Sequence, residues 1–209
     1  MEEKEIHDEL AAIRGLMERS SKFISLSGLS GILAGVYSLI GAAVAYFIIK
    51  ANPPGGPDSS LFESLGNAIN ILFSLLIIAA VVLIVSITTA IILSSRKAKR
   101  KGQSVWGATS RSLLFHMFIP LLTGGVLILI LLYQGYFAFI VPVMLIFYGL
   151  ALVSASNFTF TDVKYLGLLE IALGLVAACF PNYGLLFWAI GFGALHIIYG
   201  SMMYLKYDR

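Results

Sequence analysis

The sequence predicts an all-α polytopic membrane protein: six transmembrane helices packed as three hairpins, preceded by a short amphipathic helix. Three observations predict it. The composition is 59% hydrophobic and 12% charged over 209 residues, against roughly 45–50% and 25% for soluble domains, and the mean hydropathy is +0.92. Apolar runs long enough to cross a ~30 Å hydrocarbon core recur along the chain. The basic residues alternate in step with those runs. A soluble domain of this size has too little interior to hide so much apolar surface. A soluble globular enzyme, a disordered tail and a disulfide scaffold are therefore excluded. Cys179 is the single cysteine and reads as a small apolar packing residue.

Residues 1–22 open with MEEKEIHDEL, which lacks the basic start of a signal peptide. Ile6, Leu10, Ile13 and Met17 step by helical spacing, so the segment reads as a cytoplasmic amphipathic helix leading into the membrane. Acidic residues fill its first turns and Arg14, Arg19 and Lys22 its last, as the helix dipole favours. A dimerisation or partner-docking role for it stays open.

The spans fall near 23–49, 65–93, 112–133, 137–156, 165–180 and 185–205. The second is longer than a bilayer needs, so it tilts or projects. Lipid offers no water to satisfy backbone groups, and the alternation of barrel strands is absent, so the spans are helices. Pro53, Pro54, Gly55, Gly56 and Pro57 keep the first connection out of any helix. Residues 133–136 and 181–184 read as tight turns, and such short connections favour antiparallel hairpins. Pro120 and Pro142 fall inside spans three and four, where each permits a kink.

With the N-terminus cytoplasmic, thirteen of the fourteen lysines and arginines lie inside and only Lys50 lies outside. That is the pattern the positive-inside rule requires, with both termini cytoplasmic and a bacterial inner membrane as the fitting location. Trp106, Tyr165, Tyr204 and Tyr207 then form an inner aromatic belt, and Tyr133, Tyr136, Tyr183 and Trp188 an outer one. Arg96, Lys97, Lys99, Arg100 and Lys101 make a basic cluster just inside a span. It reads as an anchor on anionic lipid headgroups; beyond one tryptophan it lacks base-stacking aromatics, so no nucleic-acid partner is expected.

Phe147-Tyr148-Gly149 recurs as Ile198-Tyr199-Gly200, so spans three–four and five–six look like two parallel copies of one hairpin. A parallel repeat lacks the inverted symmetry that marks many alternating-access transporters. In the last hairpin Gly167, Gly174, Pro181, Gly191, Gly193 and Gly200 alternate glycine-spaced helices with a proline turn. This resembles the acid-resistance (HdeD-like) six-span bacterial membrane proteins. The resemblance implies a stress-related inner-membrane role and carries over no catalytic residue.

Ionisable groups inside hydrocarbon are the sharpest functional signals. There are three: His116, Glu170 and His196. Glu170 lies on a stripe with Gly167, Gly174 and Ala177, and His196 on one with Ala189, Gly193 and Gly200; small-residue stripes mark helix–helix contacts in membranes. His116 shares a polar stripe with Ser112 and Thr123. If the three converge, a proton or ion relay, a divalent-metal site or a haem site follows from their chemistry. The alternative is that each satisfies a neighbour inside the bundle. Glu63, Asn67, Asn70 and Ser74 form an outer polar row that, with Asp58, Tyr136 and Asn182, would line a vestibule for a small polar ligand, or simply meet headgroups and water. Ser27, Gly31 and Gly35 on span one, and Gly193 and Gly200 on span six, allow close helix packing within the monomer; a homo-oligomer seam is the other reading.

Phosphate-loop, dinucleotide, zinc-protease and serine-hydrolase motifs are absent, and the loops are too short to house a catalytic domain. No catalytic residue is therefore named. The expected function is a small transporter, channel or transport accessory that handles protons or ions on the His/Glu layer. A stress-related or partner-docking membrane protein is the second reading, and an intramembrane metal or haem protein the third.

Overall fold

The computed structural model describes residues 27–52, 61–100 (backbone alone over 61–65) and 106–208. The amphipathic segment 1–22, the connection 53–60 with Asp58, and Lys101 lie outside the described residues, as do the side chain of Glu63 and residue Arg209. Among the described residues every regular element is helical. The rods are α1 (Gly28–Ala51), α2 (Leu61–Arg100), α3 (Ala108–Gln134), α4 (Ile140–Ala155, entered through a 3₁₀ turn at Phe137–Phe139) and α5 (Asp162–Cys179). A last rod follows over residues 184–208. It is built from α6 (Gly184–Trp188), a π segment (Ala189–Leu195), α7 (His196–Met203) and a π turn (Tyr204–Asp208).

Five of these stretches are long and apolar enough to cross a membrane. The sixth, α5, has 18 residues, about 27 Å of helix, and carries Asp162, Lys164 and Glu170. α2 runs for 40 residues, roughly 60 Å, far beyond one hydrocarbon thickness. Its basic cluster continues the helix, with Lys97, Lys99 and Arg100 in the last turn, where cations favour the dipole. α3 ends in a Schellman turn: Gly135 has φ 80°, Tyr136 N–H donates to Leu131 O at 2.9 Å and Gly135 N–H to Leu132 O at 3.2 Å. Pro142 sits in the first turn of α4, where a missing N–H costs nothing, so it gives no interior kink there; Pro120 is inside α3.

The helices do not pair as three equal hairpins. α1 lies on α2, α3 on α4, and α4 packs most closely on α5. The last rod takes α1, not α5, as its closest neighbour. Glycine explains the choice. A Cβ at Gly200 would stand 2.5 Å from Ile32 N, at Gly28 2.3 Å from Tyr204 N, and at Gly35 2.7 Å from Gly193 O. The α1 stripe is thus filled by the last rod of the same chain. On α5 the glycines serve α4 instead: a Cβ at Gly149 would stand 2.5 Å from Gly167 O, and one at Gly174 3.0 Å from Ile146 N. Only residues without side chains permit such approach, and close approach is the main source of helix association in lipid.

At one end of the bundle the two ends of the described chain meet. Asp208 pairs with Lys97, accepts from Gly28 N–H at 2.9 Å and from Ser27 Oγ at 3.3 Å. Its carboxylate therefore caps the N-terminus of α1. Lys97 also lies 5.7 Å over the Phe160 ring, which stacks on Tyr207 at 4.1 Å. This clasp joins α1, α2, the α4–α5 connection and the last rod. It makes Lys97 a structural cation, while Arg96, Lys99 and Arg100 remain exposed. Two other expectations change. Trp188 is 8% exposed and packs among Phe192 and α1, so it belongs to no outer belt. Cys179 is exposed at the end of α5, bonded to Leu175 O.

Gly200→Val forces a branched side chain onto the α1 backbone and is expected to cost about 1–3 kcal/mol. Gly125, with nothing within 4 Å of its Cβ position, is the control: Gly125→Ala gains helix propensity, up to about 1 kcal/mol. Thermal unfolding in detergent should show the first midpoint lowered and the second unchanged or raised; equal midpoints would contradict the glycine contact.

Candidate functional site

Glu170 on α5 and His196 on α7 meet inside the bundle; His196 Nδ1 stands 3.5 Å from Glu170 Oε1. Glu170 is completely buried, beside Leu145, which is equally hidden. Each group arrives by its small-residue stripe. Gly167 and Gly174 hold α5 against α4, while Gly193 and Gly200 hold the last rod against α1. Gly191 makes the room between them: a Cβ there would stand 2.7 Å from Glu170 Oε2 and 2.5 Å from Leu145 Cδ2.

The imidazole is held at both nitrogens. Nδ1 lies 2.9 Å from the carbonyl of Gly191, and Nε2 2.7 Å from the Tyr148 hydroxyl. A carbonyl only accepts, so Nδ1 carries the hydrogen of the neutral ring, and Tyr148 donates to Nε2. Gly191 sits in the π segment, where the backbone ladder reaches five residues and the helix is locally widened. The carbonyl five residues back then faces the side chain of His196. Tyr148 stacks on His196 at 5.4 Å between ring centroids, and Phe192 packs against both.

Glu170 contrasts with this full satisfaction. Among the described residues neither carboxyl oxygen has a hydrogen-bond partner, and 3.5 Å from Nδ1 is beyond a good hydrogen bond. A buried, unpartnered polar group costs free energy that the fold must recover elsewhere. Among the described residues His196 is the one ion-pair partner within 4 Å of it. Tyr148, His196 and Glu170 therefore form an ordered row from hydroxyl through imidazole to carboxyl.

The third predicted member stands apart. His116 is exposed on α3, its Nδ1 2.7 Å from Ser112 O and its ring 4.6 Å from Phe158. The polar stripe that carries it faces outward: Thr123 bonds the Ile119 carbonyl of its own helix at 2.9 Å. Among the described residues no three His, Cys, Asp or Glu side chains gather closely enough to hold a metal ion. Both nitrogens of His196 are engaged by protein, leaving neither for a haem iron. In the outer row Asn67 and Asn70 are exposed, and Ser74 bonds the Asn70 carbonyl at 2.8 Å. Tyr136 and Asn182 are exposed as well.

Sequence reasoning missed Tyr148 and the clasp. The Phe147-Tyr148-Gly149 repeat did single out that tyrosine's neighbourhood, and Tyr199 holds the matching place on α7. Asp208 followed no motif. At the rim of the site's own helix pair, Asp162 accepts from Lys206 Nζ and from Tyr207 Oη, each at 2.8 Å. The Lys206 hydrogen bond holds the Asp162 carboxyl below the usual carboxylate range, against partial burial that pushes it up.

No family model, curated protein or solved structure matches the chain.

Because the folded state lowers the pKa of Asp162, the pair adds stability above the unfolded value near pH 4 and loses it as pH falls through the lower folded value. Asp162→Asn should therefore melt slightly below wild type at about pH 7, and the gap should close as pH falls through the lowered folded value. The difference is small, as for exposed pairs generally. A gap that widened in acid would refute the linkage. Asp208→Asn removes the carboxylate that pairs with the part-buried Lys97 and caps α1, and is expected to cost about 1–3 kcal/mol in the same measurement.

Proposed function

We propose that this chain is a small transport protein, or an accessory to one, that carries protons on the row Tyr148–His196–Glu170. It crosses an inner membrane six times with both termini in the cytoplasm, where the basic end of the bundle meets anionic headgroups. The observation that carries the reading is Glu170: fully buried, without a hydrogen bond from the described residues to either oxygen, and 3.5 Å from an imidazole. Intramembrane carboxylates in such settings are the elements from which proton relays are built.

The chemistry balances on these side chains. A proton delivered to the Tyr148 oxygen displaces the hydroxyl proton onto His196 Nε2. The resulting imidazolium releases its Nδ1 proton to Glu170 Oε1 when the two close by less than 1 Å to hydrogen-bond distance. Tyrosine and imidazole return neutral, with the ring hydrogen now on Nε2. Gly191 O, which accepts from Nδ1 in the resting state, marks the competing position that holds the imidazole off the carboxylate.

Proteoliposomes loaded with a pH-sensitive dye test this. An imposed potential should drive proton entry with the wild-type protein, and Glu170→Gln should reduce it to the rate of empty vesicles. Gly191→Ala, whose methyl intrudes on Oε2, should reduce it as well. Wild-type rates in Glu170→Gln would sink the relay.

A further inference from the structure

A half-open cavity of about 470 Å³ runs along the bundle, lined by residues of α1 to α5 and the last rod. It extends from Ser27 to Ser38 along α1 and from Ala79 to Ala90 along α2, roughly 16 Å in each case. The volume spread over that length leaves a mean cross-section of about 30 Å², the width of one hydrocarbon chain. The volume lies within the range of sites that enclose small ligands.

The wall is chemically selective. Among the described residues no lysine, arginine, aspartate or glutamate lines it. Leu83, Ile87, Met117, Met144 and Leu152 are typical of its surface. Its polar members include Tyr148 and His196, bonded to each other, together with Ser86 and Tyr199, whose hydroxyls have no hydrogen-bond partner. α2 and α3 both line the cavity, and among the described residues their mutual packing is at most slight, so the wall is thinnest on that side.

We infer that the cavity binds a neutral single-chain lipid bearing one hydroxyl or carbonyl head. The narrow, long shape admits one chain. A charged head would be buried without a counter-charge, at a cost no lining residue offsets. A hydroxyl or carbonyl instead finds hydroxyl groups able to donate, and a Tyr148 oxygen that keeps an acceptor site while donating to His196. The ligand enters between α2 and α3 from the bilayer. Tyr148 and His196 line the cavity and belong to the relay row as well, but they serve here only as hydrogen-bonding groups, whether or not protons move along them.

The test uses the full chain in phosphatidylcholine nanodiscs, with dodecanol carrying a mid-chain diazirine as the probe. Irradiation and peptide mapping should place label on Met117, Met144 or Leu152, and excess unlabelled dodecanol should chase it. Laurate carrying the same diazirine should label those positions about tenfold less, because its head is charged. Ala90→Trp and Ala79→Trp each place an indole on the cavity wall and should each abolish the chased label while the protein still unfolds cooperatively. Label confined to outward residues such as Ile84 and Ile91, label that dodecanol does not chase, or equal labelling by laurate would each overturn the inference. The wild-type competition decides the question even if neither variant folds, and it is read without reference to proton flux.

Discussion

Two glycine seams position everything else in this bundle. One presses α4 onto α5 through Gly149, Gly167 and Gly174; the other presses α1 onto the last rod through Gly28, Gly35 and Gly200. In an apolar solvent there is little hydrophobic drive to bring helices together, so backbone approach must supply the contact. Glu170 projects from the first seam and His196 from the second. Their meeting is therefore a consequence of two backbone contacts on different helix pairs.

The polar inventory divides by position along the bundle. At one end, Asp208, Lys97, Asp162 and Lys206 are paired, and the carboxylate of Asp208 also serves as a helix cap. Charge there neutralises charge and ties together elements distant in sequence. Deeper in, pairing is incomplete: His196 is satisfied at both nitrogens while Glu170 receives nothing. The contrast separates groups that hold the structure from a group whose unmet demand is chemically available.

The helical class was legible in the sequence because apolar runs of this length leave backbone groups one way to satisfy themselves. The inward aim of Glu170 and His196 was legible for a related reason: each shares its helical row with glycine and alanine, and those rows are where helices touch. His116 shows the limit. Its row is polar, yet serine and threonine can bond carbonyls of their own helix, as Thr123 does, so a polar row need not face inward. The pairing of the last rod with α1 was not readable from local pattern either. Glycine stripes announce that a contact exists without naming the partner, and chain proximity wrongly favoured α5. Lys97 and Asp208 are 111 residues apart, and no periodicity links them.

The π segment at Ala189–Leu195 sets the angular phase of the last rod. Its widened turns accommodate one more residue than an ordinary helix would place in the same length. Losing a single residue there would restore regular winding but rotate all that follows by about 100°. The imidazole would swing away from the carboxyl, and Gly200 would leave the groove of α1 in the same movement. Phase at this point couples the chemistry of the interior to the closure of the bundle, so the local irregularity is under a constraint that neither the helix nor the site would impose alone.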